Sequence, residues 1–127
     1  MINPQTISLD FASLEFYDNY VIATINEGVV FDKHHFNIFN DLFEEQYPNQ
    51  KYGYISMRKY DYTVNPTCYI NANEFPNLIG MAVCCFSQLS HDIANFEKSF
   101  YKKPMEAFFS QEACVAWLEQ LITKERI

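Results

Sequence analysis

The chain has 127 residues, of which 49% are hydrophobic, 17% aromatic and 20% charged, and this balance indicates one globular domain with a large core rather than a disordered segment. A formal net charge of -7, without any cluster of Lys and Arg beyond pairs, argues against binding to nucleic acid or to anionic membranes. We therefore expect a single domain over residues 1–127.

The first elements read as a hairpin. Residues 6–16 alternate in part between apolar and polar and then change phase, which predicts one strand with a bulge. Asp18 and Asn19 are a two-residue turn signal, and the β-branched run over residues 20–25 follows them. The chain should thus open with an antiparallel hairpin.

A helix and a third strand come next. Asp32 is the predicted N-cap of a helix that Pro48 ends. Its apolar stripe consists of Phe36, Phe39, Phe43 and Tyr47. Residues 52–58 alternate again, which predicts a strand with Ile55 and Met57 on one face. Tyr54 and Ser56 should then face the other way.

Three further elements are predicted over residues 65–103. Asn65 followed by Pro66 predicts the start of a short helix over residues 67–73. The nearly continuous apolar run over 78–86 is typical of a strand covered on both faces, as in a parallel sheet. Ser90 is the predicted cap of the following helix, before Pro104. The stripe that we expect that helix to bury is Ile93, Phe96 and Phe100.

The chain closes with a short apolar strand from Met105 and a helix capped by Ser110, with Phe109 stapled against its first turn. The predicted buried stripe of this helix is Cys114, Trp117, Leu118 and Leu121. Alternation of strands and helices after the hairpin implies right-handed crossovers. The predicted class is α/β, with a mainly parallel central sheet and about four helices.

The start of the chain lacks the basic and apolar regions of a secretory signal, and no apolar run is long enough to span a bilayer. We therefore expect a cytoplasmic protein without a membrane span. The cysteines show no C-x-x-C spacing and should be reduced and mostly buried. They are Cys68, Cys84, Cys85 and Cys114.

Several segments resemble the SpoIIAA-like proteins of the STAS superfamily, which are small bacterial α/β domains. The resemblance covers the chain from about Leu14, and it is carried by Glu27-Gly28, by residues 62–66 (YTVNP), by 78–83 (LIGMAV) and by 108–118 (FFSQEACVAWL). It implies a STAS-like fold, related in shape to CRAL-TRIO lipid-binding domains, and a non-enzymatic role as a regulatory or ligand-binding module.

Some members of that superfamily are phosphorylated on a serine within an Asp-Ser-Ser/Thr-Gly turn. The equivalent region here is residues 59–65, which lacks the motif, and Thr63 is its only hydroxyl of comparable kind. Thr63 is therefore either a regulatory hydroxyl or a plain turn residue.

Tyrosines are concentrated in the middle of the chain, where they suit either a partner surface or the mouth of an apolar pocket. The predicted surface consists of Tyr52, Tyr54, Tyr60, Tyr62, Thr63 and Tyr69. The alternative is that half of these tyrosines only cover a sheet edge.

No catalytic or metal motif is recognisable, so we expect no cofactor, no metal and no enzymatic activity. His34 or His35 could bind a metal only with distant ligands, and Cys68 has the best helix-terminal position for a reactive thiol.

The favoured function is a non-enzymatic regulatory or protein-interaction module of SpoIIAA-like type. Homodimerisation, through the hairpin edge or the aromatic surface, is compatible with this function. The first alternative binds a small apolar or lipid-like molecule in a cavity between sheet and helix, lined by Phe36, Phe39, Tyr54 and Phe100. The second alternative is a small thiol- or metal-dependent hydrolase.

Overall fold

The computed structural model describes residues 4–69 and 75–126. Its strands are β1 (Gln5–Ser8), β2 (Ala12–Phe16), β3 (Tyr20–Ile25), β4 (Val30–Phe31), β5 (Tyr52–Met57), β6 (Thr63–Val64), β7 (Leu78–Cys84) and β8 (Met105–Phe108). Its helices are α1 (Lys33–Gln46), α2 (Gln88–Glu97) and α3 (Gln111–Arg126), with 3₁₀ segments at Pro66–Tyr69 and Lys98–Phe100. Among these described residues, no helix combines the length and the apolar character that a membrane crossing requires.

Six strands form the central sheet in the order β1-β2-β3-β5-β7-β8. The pairs β1–β2 and β2–β3 are antiparallel, whereas β3–β5, β5–β7 and β7–β8 are parallel. The mainly parallel α/β sheet is therefore confirmed, as is the antiparallel pairing across the turn at Asp18 and Asn19. Three α-helices are present in the described part of the chain, so the predicted fourth is not confirmed.

The prediction of one bulged strand over residues 6–16 is wrong. The chain reverses between Ser8 and Ala12, so that Ser8 faces Ser13 in an antiparallel pair. The amide of Leu9 donates to the carbonyl of Ala12 at 2.7 Å, which closes a tight turn. The change of phase in the sequence therefore marks a hairpin, because each strand starts its own alternation.

Helix α1 covers one face of the sheet and begins as predicted. The Asp32 carboxylate accepts a hydrogen bond from the amide of Lys33 at 2.7 Å, and the amide of Asp32 donates to Nδ1 of His35 at 3.0 Å. The predicted stripe is buried, with Phe39 and Phe43 at most 1% exposed. This face holds the larger of the two cores.

Helix α3 covers the opposite face. The Ser110 hydroxyl accepts from the amide of Ala113 at 3.2 Å, which confirms the predicted cap. Cys114 and Leu118 are fully buried. Phe109 does not staple this helix, since it is 57% exposed and its ring stacks on His91 at 4.9 Å. The strand β7 is buried along its whole length between the two layers.

Helix α2 differs from its prediction in both start and orientation. Its cap is Ser87, whose hydroxyl accepts from the amide of Ser90 at 3.1 Å. The buried residues of α2 are Ala94 and Glu97. Ile93 and Phe96, which were predicted to be buried, are 45% and 62% exposed. The helix turns this way because the small Ala94 lies on the core and Glu97 finds an ionic partner beneath it.

The segment between β5 and β7 is less regular than predicted. Strands β4 and β6 form a separate parallel pair of two residues each, which the sequence did not indicate. The Asn65 side chain caps the next turn by accepting from the amide of Thr67 at 3.2 Å. That turn is a 3₁₀ segment over Pro66–Tyr69, and the rest of the predicted helix, residues 70–73, lies outside the described residues.

Candidate interaction surface

The carboxyl ends of β5 and β7 lie side by side, with Met57 paired to Cys84. In parallel sheets with helical crossovers, the crevice beyond these strand ends is a common binding position. Here an open groove of about 250 Å³ occupies it, between the loop after β5 and the start of α2. The groove has Lys59 and Asp61 on one wall.

Five large apolar side chains are exposed at this groove and along the adjoining side of α2, and we call them the α2 face. They are Tyr60 (43% exposed), Phe86 (61%), Leu89 (69%), Ile93 (45%) and Phe96 (62%). The three aromatic members, at roughly 150–250 Å² for each side chain, expose about 300 Å², and Leu89 and Ile93 bring the face to the order of 500 Å². The largest apolar patch of a typical monomer is about 300–600 Å² and is often functional, so this face has the size of a binding surface.

The α2 face follows the helical repeat. Leu89, Ile93 and Phe96 are four and three residues apart and so form one continuous ridge. The stripe that points inward, Ala94 and Glu97, lies one residue further along, about a quarter of a turn away. The apolar ridge of α2 therefore borders the groove, and a polar residue fixes the helix to the sheet.

A buried polar network supports the groove from below. Nη1 and Nη2 of Arg58 donate to the two carboxylate oxygens of Glu97 at 2.8 and 2.7 Å. Nε of Arg58 donates to the Ser56 hydroxyl at 3.2 Å, and this hydroxyl lies 3.1 Å from that of Tyr62. The guanidinium also lies over the Tyr62 ring, 5.7 Å from its centroid. Because two parallel bonds restrict orientation, this pair holds α2 at a defined position.

The predicted tyrosine surface is only partly exposed. Tyr52 and Tyr54 are buried, which raises the pKa of both phenols, and they contribute to the core rather than to a surface. Tyr62 is half-buried in the network under the groove. Thr63 is exposed in β6, where its amide donates to the carbonyl of Val29 at 2.9 Å. The Tyr69 side chain lies outside the described residues.

Among the predicted tyrosines whose side chains the structure describes, Tyr60 is thus the one that joins the α2 face. Ile93 and Phe96 were missed because an apolar stripe on a helix was interpreted as a buried stripe, whereas Phe86 and Leu89 were not singled out at all. Glu97 could have indicated the true orientation of the helix. It lies three residues after Ala94, so both are on the same side, and a glutamate can face inward when a buried arginine is near. Ser87, three residues before Ser90, likewise offered the alternative cap.

Cys68 and His35, the candidates for a reactive thiol and a metal ligand, lie in a buried position and in a helix cap respectively. Burial raises the pKa of the Cys68 thiol to about 12, so this thiol is protonated at neutral pH. Nδ1 of His35 accepts from the helix-capping amide of Asp32, and desolvation lowers the pKa of the ring. Among the described residues, no group of three or more His, Cys, Asp or Glu could hold a metal ion.

The cavity required by the ligand-binding alternative is small. Phe36, Phe39 and Tyr54 line an enclosed space between α1 and the sheet, as predicted, but its volume is about 10 Å³. Phe100 packs against the same core without lining this space, and its ring centroid lies 5.5 Å from that of Phe96. Sites for small molecules are typically about 300–1,000 Å³, whereas about 10–15 Å³ holds a single water.

The chain matches no protein-family model, no curated protein and no solved structure. The feature with the size and composition of a binding site is the α2 face.

Proposed function

We propose that this chain is a non-enzymatic protein-interaction module of regulatory, SpoIIAA-like type, and that it binds through the α2 face. The observation that carries the proposal is the exposure of Leu89, Ile93 and Phe96 as one ridge beside the groove. Exposed apolar area is costly in water, and the largest apolar patch on a protein is often functional.

The composition of the face supports a protein partner over a small molecule. Aromatic residues are enriched in the centres of protein interfaces, and three of the five residues of the face are Phe or Tyr. Its groove is open, whereas sites for small molecules enclose most of the ligand surface. The enclosed space under α1 has about the volume of one water, which does not favour the apolar-ligand alternative.

The resemblance to SpoIIAA-like proteins points to the same class of function, since it implies a regulatory role without catalysis. A fold resemblance does not establish function, so the proposal depends on the surface and must be tested there.

Site-specific photo-crosslinking in the native host tests the proposal. A photoreactive phenylalanine analogue replaces Ile93 in one variant and Ile38, a 38% exposed residue of α1, in the matched control. We expect a defined crosslinked species from position 93 and none from position 38. A species identified by mass spectrometry is then purified, and its binding must weaken in the Leu89→Glu variant. Equal crosslinking from both positions, or from neither, would overturn the proposal.

A further inference from the structure

We infer that the partner of the α2 face is a second copy of this chain, packed about a twofold axis with its α2 antiparallel to the first. This inference rests on the proposed function, because it names the occupant of the same surface. Three properties of the face support it, namely its charge balance, the spacing of its ridge and its area.

The segments that form the face carry no net charge, although the whole chain carries -7. Residues 58–61 and 86–98 contain three basic and three acidic residues, which leaves a sum of zero. Arg58 and Glu97 pair with each other beneath the groove, and the remaining charges are Lys59 and Lys98 against Asp61 and Asp92. In a twofold dimer the same patch meets itself, so a patch with a net charge would repel its copy. A strongly basic partner, by contrast, would gain little electrostatic attraction, because the face has no net negative charge.

The ridge is complementary to itself when two helices run antiparallel. A twofold axis that passes between residues 92 and 93 places Leu89 of one copy opposite Phe96 of the other, because these residues are equally distant from the axis. Ile93 then lies beside the axis in both copies. Leu89 and Phe96 are separated by about 10 Å along the helix, at 1.5 Å per residue, so the ridge provides about two turns of helix contact.

The exposed area of the face, if fully buried, reaches the lower bound for a specific interface. The five side chains expose on the order of 500 Å² in each copy, hence about 1,000 Å² in two copies, which is about the lower bound for a specific interface. Lys59 and Asp61 at the groove wall add a polar rim of both signs. Interfaces of this anatomy have an apolar centre and a charged margin.

The inference predicts an unusual dependence on salt. Two chains of net charge -7 repel at long range, and salt screens this repulsion while leaving the apolar contact intact. We therefore expect self-association to strengthen from low to high NaCl concentration. Binding to a basic partner steered by charge would weaken over the same range.

Sedimentation equilibrium of the purified full chain, over a wide range of protein concentration, tests the inference. The average mass should rise from 15.0 kDa towards twice that value. Ile93→Glu places like charges at the axis and should weaken association at least about 30-fold, as truncation of a central interface residue does. Ile38→Glu, which adds the same charge to α1, should associate like the unaltered chain. Both positions are exposed, so circular dichroism should show that both variants are folded.

A charge-complementation experiment distinguishes a twofold contact from other modes. Ile93→Lys and Ile93→Glu should each be monomeric alone, and an equimolar mixture should regain association through opposite charges beside the axis. A mass of 15.0 kDa at every concentration and salt level, or a dimer that survives both variants, would overturn the inference. If a monomeric chain still crosslinks from position 93 to a different protein, only the choice of partner fails. If position 93 crosslinks to nothing, the proposed function fails as well.

Discussion

Arg58 and Glu97 join the end of β5 to α2 by a two-bond ion pair whose side chains are only 7% and 4% exposed. Each charge has lost most of its hydration, so each depends on the other. The pair is a buried polar contact between α2 and the sheet, and it lies on the side of α2 that faces away from solvent.

Removing one member of this pair should destabilise the fold severely. We expect Glu97→Ala to lower the free energy of unfolding by about 3–5 kcal/mol, because the Arg58 charge is left buried without its partner. Urea unfolding measures the change. Glu106→Ala is the matched control, since it breaks the Lys98–Glu106 pair, whose side chains are 38% and 48% exposed. The control should lower the free energy of unfolding by at most about 1 kcal/mol. An equal decrease in the two variants would contradict the prediction.

Tyr47 fixes the end of α1 to the β2–β3 turn. Its hydroxyl lies 2.7 Å from the carbonyl oxygens of both Tyr17 and Tyr20, and the residue is 2% exposed. Tyr47→Phe should lower the free energy of unfolding by about 1–3 kcal/mol, because it removes the single hydroxyl proton that the two carbonyls share. The Tyr20 carbonyl still accepts from the amide of Tyr17 at 2.8 Å. Tyr60→Phe removes an exposed hydroxyl and should change stability by less than about 0.5 kcal/mol in the same assay. If Tyr47→Phe left the free energy of unfolding unchanged, water would have replaced the lost hydroxyl donor.

Gly53 allows α3 to approach β5 closely. A Cβ at this position would lie 2.7 Å from Cδ2 of Leu118, which is fully buried. Gly53→Ala should therefore destabilise by about 1–3 kcal/mol through overpacking. Leu118→Ala alone should cost about 2–5 kcal/mol through its cavity.

The double variant Gly53→Ala/Leu118→Ala completes a thermodynamic cycle for this contact. Its cost should be smaller than the sum of the single costs, because the added methyl group enters the space that the leucine vacates. Strict additivity, measured by urea unfolding, would mean that the two positions do not contact each other.

The four cysteines should be unreactive in the native protein. All are buried, and desolvation raises the pKa of each thiol, to about 12 for both Cys68 and Cys114. At neutral pH a thiol reagent should label the native chain far more slowly than the denatured chain, in which all four react. Gln120→Cys adds a thiol at an exposed position of α3 as a positive control. Fast labelling of a native cysteine would contradict the burial.

The same thiols make stability fall at alkaline pH. The unfolded chain releases the Cys114 proton near the ordinary pKa of 9.0, whereas the folded chain keeps it until about 12. The contribution of this thiol is therefore fully present below pH 9 and is lost as pH rises towards 12. Urea midpoints measured across this range should fall less steeply in Cys114→Ala than in the unaltered chain.

The order of the elements was predictable from sequence because each has a strong local signal. Asp32 and Ser110 cap helices through side-chain oxygens, and the apolar run of β7 indicated a strand covered on both faces. The turn between β1 and β2 was missed because the apolar residues Leu9 and Phe11 lie inside it, where a turn usually has polar residues or glycine. The pair β4–β6 was missed because two residues are too short to show alternation.

The site was harder to predict because helix periodicity identifies an apolar side but not what covers it. In α2 that side is left open, since a contact between residues 39 positions apart in the chain, Arg58 with Glu97, fixes the orientation. Tyr60 was predicted from the local tyrosine enrichment. Phe86 and Leu89 depend on tertiary placement and had no comparable local signal.

The central sheet ends on two strands of four residues, Gln5–Ser8 and Met105–Phe108. Short outer strands present few free backbone amides and carbonyls, so they are poor templates for the addition of strands from other chains. The outer strand β8 also contacts α2. Next to it, the Lys98 ammonium donates to the Glu106 carboxylate at 2.9 Å. A crowded solution should therefore favour discrete particles of this protein over fibres.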